Sequence, residues 1–94
     1  MTEPPQRYTP RADLVARRLG DEMVVVHLGS SRIFELNATA TRLWELLVEG
    51  HDLDAARRRL GAEFAVDDAT LAAEIARTVA ELTREGLLVP APSA

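Results

Sequence analysis

The chain has no cysteine and no lysine among its 94 residues. Without a thiol there is no disulfide, no cysteine-based zinc site and no thiolate nucleophile. The absence of cysteine fits a reducing compartment, and the cytoplasm is the expected location. Aromatic residues are few: Tyr8, Phe34, Trp44 and Phe64. The core must therefore be built from Leu, Val, Ile and Ala. Positive charge is also scarce. Eleven arginines face fifteen acids, for a net charge of −4. Nucleic-acid binders carry a basic footprint, so DNA and RNA are not expected partners. No stretch approaches the ~20 apolar residues of a membrane span, so no membrane association is expected. The first ten residues contain no apolar run, unlike a secretory signal.

What remains is an ordinary soluble composition, 47% hydrophobic and 28% charged, at a length that supports one domain. Residues 1–10 hold three of the five prolines and read as a disordered arm. Residues 90–94 read as a loose tail, and residues 11–89 as the folded unit. Asp13–Leu19, Glu22–Leu28 and Arg32–Leu36 read as strands. Met23 to Val26 is a short, β-branched run, and Arg32–Leu36 alternates Phe34 and Leu36 with Ile33 and Glu35. Gly20-Asp21 and Gly29-Ser30-Ser31 are the turns between them, and such short turns make antiparallel neighbours.

The second half carries helical periods. Asn37 caps a first helix with Ala40, Leu43, Trp44 and Leu47 on one face, and Gly50 stops it. Asp52 caps a second helix, with Leu53, Ala56 and Leu60, that is expected to end at Gly61. Asp67 or Asp68 caps a third, whose apolar stripe is Leu71, Ile75, Val79 and Leu82 and whose stop is Gly86. Leu87 to Val89 is a candidate last strand. The fold class is α+β: a three-stranded antiparallel meander, with one face covered by the three helices that follow.

The inventory for chemistry is thin. His27 lies within a strand and His51 in a turn beside Asp52, and neither belongs to a metal-ligand spacing. Asp67-Asp68 suits a helix N-terminus better than a carboxylate pair. Gly29-Ser30-Ser31 lacks the glycines and lysine of a phosphate loop. Arg57-Arg58-Arg59 lies on a helix that spreads its side chains about 100° apart, so it forms no flat basic patch. Trp44 belongs to a core stripe. No cofactor, metal or catalytic residue is expected.

Phe34-Glu35-Leu36-Asn37, then Ala38-Thr39-Ala40, then Leu43 to Gly50 resemble the PqqD-like family. The likeness continues through Leu53 to Leu60 and closes with Val79 to Leu82 and Glu85 to Leu88. Members of that family are small peptide chaperones, or recognition elements, of ribosomally made peptide natural products, including lasso peptides. The aromatic-Glu-Leu-Asn lead-in and Trp44 are closest to the discrete lasso-peptide members. The resemblance implies a winged helix-turn-helix with a sheet in front and no enzymatic activity. It also implies a partner, the leader segment of a precursor peptide, delivered to a modifying enzyme or leader peptidase. The family attaches the leader as an extra strand along the third strand, against the third helix. Here that places the peptide on Arg32, Ile33, Phe34 and Glu35. Ala72, Ile75, Ala76 and Val79 form the expected wall, flanked by Arg77 and Arg84. A winged-helix DNA binder is the competing reading, but its recognition helix would carry Glu74, Glu81 and Glu85 against Arg77 and Arg84. An adaptor for a folded protein is the other alternative.

Overall fold

The computed structural model describes residues 7–91. The order is β1 (Tyr8–Pro10), β2 (Leu14–Leu19), β3 (Glu22–His27), β4 (Arg32–Leu36), α1 (Ala38–Val48), α2 (Leu53–Glu63), α3 (Asp68–Arg84) and β5 (Leu88–Pro90). Strands β2, β3 and β4 form the expected antiparallel meander, with Val25 opposite Phe34 and Val24 opposite Arg17. Its inner face carries Met23, Val25 and Leu36, all buried, and the partly buried Phe34. Its outer face stays open, with Val15 and Ile33 exposed.

The helices begin where side chains satisfy their unpaired amides. Asn37, Asp52 and Asp67 accept from the backbone N–H of Ala40, Ala55 and Thr70 at 2.9, 2.8 and 3.0 Å. Asp67, not Asp68, is thus the third cap. The Thr70 hydroxyl also donates to it, and this bond, with the Thr70 N–H next, holds the Asp67 carboxyl below its ordinary range. At the end of α3, Gly86 has φ +79°. Leu87 N–H reaches the Leu82 carbonyl at 2.9 Å and Gly86 N–H the Thr83 carbonyl at 3.1 Å. This is a Schellman closure, which requires a left-handed residue where glycine stands. It turns the chain back so that Leu87 and Leu88 are fully buried.

Buried side chains of every helix join the inner sheet face in one core: Leu43, Trp44, Leu46 and Leu47 of α1, Ala56 and Leu60 of α2, and Leu71, Ile75, Val79 and Leu82 of α3. Trp44 is a core residue at 5% exposure. Thr41 is the one buried polar side chain among the described residues, and its hydroxyl donates to the Leu36 carbonyl at 3.1 Å. That bond ties the end of β4 to the first turn of α1.

Two expectations need correction. Tyr8–Pro10 is a strand, paired antiparallel with Leu88–Pro90, so the N-terminal arm is structured in that part and Pro90 belongs to β5. Arg11 N–H and Ala91 N–H extend the pairing to the carbonyls of Leu87 and Arg7. Residues 1–6 and 92–94 lie outside the described residues. Second, α2 runs through Gly61 to Glu63. A Cβ on Gly61 would lie 3.7 Å from the Leu71 side chain, so the glycine sits where α2 approaches α3.

Because Tyr8 packs against the core and β1 completes the second sheet, Tyr8→Ala should cost about 1–2 kcal/mol and deletion of residues 1–10 more. Urea unfolding monitored through Trp44 measures both, and an unchanged midpoint for the deletion would show that β1 contributes nothing.

Candidate peptide-binding groove

The direction in which each β4 amide points follows from one hydrogen bond. Leu28 N–H donates to the Asp13 carbonyl at 3.0 Å, so Leu28 faces β2. Backbone direction alternates along a strand, so Val26 and Val24 also face β2, while His27, Val25 and Met23 face β4. Their partners in β4 are Arg32, Phe34 and Leu36. These three bond to β3, and the N–H and C=O groups of Ile33 and Glu35 point to the open edge. The side chains alternate with the backbone. Phe34 and Leu36 face the helices, and Ile33, at 66% exposure, faces away.

Between this edge and α3 lies a groove of about 420 Å³. Its floor is Phe34, Leu36, Ala40 and Leu82, and its α3 wall is Glu74, Arg77, Thr78, Glu81 and Glu85. One end is bridged: Arg32 Nη1 meets Glu85 Oε2 at 2.5 Å, and the Arg32 guanidinium lies 5.0 Å from the Phe34 ring centre. The bridge joins the first residue of β4 to the C-cap of α3 and so holds the two walls together.

Of the residues proposed from sequence, Ile33, Phe34, Glu35 and Arg77 line the groove, and Arg32 bridges its end. The others do not line it. Ile75 and Val79 are core residues at 4% and 5% exposure. Ala72 and Ala76 are exposed but lie on the other flank of the stripe, and Arg84 is exposed beyond the Glu85 end. The geometry is that of a helical wheel. Relative to Ile75 and Val79, the preceding residues Glu74 and Thr78 lie about 100° to one side, and the following alanines about 100° to the other. Strand β4 runs along the first side.

The histidines have structural surroundings. Ser30 N–H donates to His27 Nδ1 at 3.1 Å and Asp13 Oδ2 lies 3.5 Å from His27 Nε2, which ties the β3–β4 turn to the start of β2. The Ser30 hydroxyl is also 3.1 Å from Nδ1, but that nitrogen already accepts the Ser30 amide and offers the hydroxyl no free base. Among the described residues no group of three or more His, Asp or Glu is placed to hold a metal ion, and no helix is long and apolar enough to cross a membrane.

A three-stranded antiparallel meander followed by three helices, with the β4 edge unpaired among the described strands beside a groove against α3, defines the class of the domain. The family model for coenzyme PQQ synthesis protein D (PqqD) matches residues 22–88. The chain belongs to the PqqD family. A solved structure described as TbiB1 in complex with the TbiA(beta) leader peptide superposes with a TM-score of 0.82 at 27% identity, covering 90% of this chain and 99% of that one. Another, lasso peptide synthetase B1 complexed with the leader peptide, has a TM-score of 0.81 at 24% identity, covering 89% and 99%, and supports the fold. No curated protein sequence matches the chain.

The pairing makes a testable pattern in the free protein. Amide hydrogens of Arg32, Phe34 and Leu36 should exchange slowly and those of Ile33 and Glu35 fast. Protection of Ile33 and Glu35 equal to that of Phe34 would mean that the β4 edge is already covered.

Proposed function

We propose that this chain binds the leader segment of a ribosomally made precursor peptide and presents it to a modifying enzyme or leader peptidase, without catalysing a reaction itself. The observation that carries the reading is the open edge of β4 over a groove floored by Phe34, Leu36, Ala40 and Leu82. An added strand would bond to the free groups of Ile33 and Glu35, which supplies affinity for any extended backbone. Alternate side chains of that strand would enter the groove, where the floor and the α3 wall set selectivity. Membership of the PqqD family and the likeness to a leader-peptide complex at 27% identity support the same reading. Lasso-peptide biosynthesis is the proposed pathway, from the resemblance of Phe34 to Asn37 and of Trp44 to the discrete lasso-peptide members. The cytoplasm, where ribosomes make precursors, is the proposed location.

A DNA-binding reading finds no support in the charge of α3, whose groove side carries Glu74, Glu81 and Glu85. The non-catalytic role rests on the surroundings of His27 and on the groove lining, which brings carboxylates and one guanidinium together with no histidine.

The test uses leader peptides of precursors encoded in the gene's neighbourhood, with binding and melting measured together. Ile33→Pro and Glu35→Pro each delete an edge donor and no bond to β3. They should weaken binding about tenfold or more while leaving the melting temperature within a few degrees. Phe34→Pro breaks a β3 bond and should lower stability itself. Thr78→Trp should fill the groove and abolish binding, whereas Ala76→Trp should leave it unchanged. Full binding by both edge variants would refute strand addition.

A further inference from the structure

The groove has a charge pattern that backbone pairing does not use. Of the charged side chains along it, Glu85 is partnered within the chain, by Arg32 and by Arg84. Glu74 and Glu81 carry their carboxylates on the α3 wall, and among the described residues neither has a cation within salt-bridge distance, while the Glu35 side chain, like Ile33, faces away from the helices. Arg77, between Glu74 and Glu81 on the helix, offsets one of the two carboxylates. The open part of the groove is thus acidic along its wall and apolar along its floor.

One class of side chain matches both features. Lysine and arginine have aliphatic stems that cover an apolar floor and cationic heads that reach a carboxylate beyond it. Glu74 and Glu81 are about 10 Å apart along α3, from the 1.5 Å rise per residue. Residues two or four apart on a strand are about 7 or 13 Å apart and lie on one face, within reach of that spacing for such long side chains. From this we infer that the groove selects an extended peptide with basic side chains at alternate positions on the face turned toward α3. The inference rests on the reading of the groove as the peptide site and adds the charge of the occupant. An acidic face in the same place would set like charges against Glu74 and Glu81, which disfavours such peptides.

The experiment selects phage-displayed random dodecapeptides on the full chain, then measures synthetic copies of the recovered sequences. Recovered peptides should be enriched in lysine or arginine at positions two or four apart and depleted of acids there. Exposed pairs of this kind change affinity by up to about fivefold each. Glu74→Gln with Glu81→Gln should therefore weaken a recovered peptide about three- to tenfold at unchanged melting temperature. The same double variant should bind the lysine-to-glutamine peptide as the unsubstituted chain does. Binding should also fall as salt rises. Peptides recovered with no basic enrichment, or bound equally by the double variant, overturn the charge preference and leave strand addition standing. Recovery of no peptide at all overturns both.

Discussion

Backbone pairing in the meander is a matter of parity. Each residue of a strand offers its N–H and C=O to one side only, and the side alternates. The Leu28–Asp13 bond sets β3 so that its odd-numbered residues serve β4. Phe34 then faces inward in both senses, its amide to β3 and its ring to the helices, and Ile33 and Glu35 are left with unpaired backbone groups. A slip of one residue would reverse all of this and move Phe34 out of the core. The open edge, the groove floor and the buried inner face are thus three consequences of one register.

The rest of the molecule fixes what stands opposite that edge. Thr41 ties the end of β4 to α1, the cap at Asp67 starts α3, and the closure at Gly86 returns the chain into β5. With Leu71, Ile75, Val79 and Leu82 locked into the core, the rotation of α3 is set, and Glu74, Thr78 and Glu81 are carried to the groove. The Arg32–Glu85 bridge joins the two sides directly, although both groups are partly solvated and its contribution to stability is modest. Its stronger effect is geometric, since it marks one end of the space an added strand can use.

Much of this architecture is legible in the residues. Met23 to Val26 is too short and too β-branched for a helix, and Asn37, Asp52 and Asp67 announce their helices by local chemistry. Two features escape such reading because they are non-local. Tyr8–Pro10 is proline-bounded and polar, and it becomes a strand only because Leu88–Pro90, at the other end of the chain, lies beside it. Gly61 reads as a stop, yet it lies where α2 packs beside Leu71 of α3 and the helix continues to Glu63. The candidate groove is half legible. Alternation places Ile33, Phe34 and Glu35, which belong to one strand. The helical stripe identifies the core face of α3 but not which flank meets β4, so it does not separate the alanine flank from the Glu74, Thr78 and Glu81 flank that lines the groove. The signal was present in the Glu74, Thr78, Leu82 row, but choosing that flank depends on tertiary packing.

The central claim is that an extended peptide completes the sheet at β4. The most direct measurement is a set of intermolecular nuclear Overhauser contacts between the isotope-labelled chain and a bound leader peptide. The account predicts backbone-to-backbone contacts at Ile33 to Glu35 and side-chain contacts to Thr78 and Leu82. Contacts confined to Arg57–Arg59 or to the outer face around Val15 and Val26, with the amides of Ile33 and Glu35 unperturbed, would contradict it.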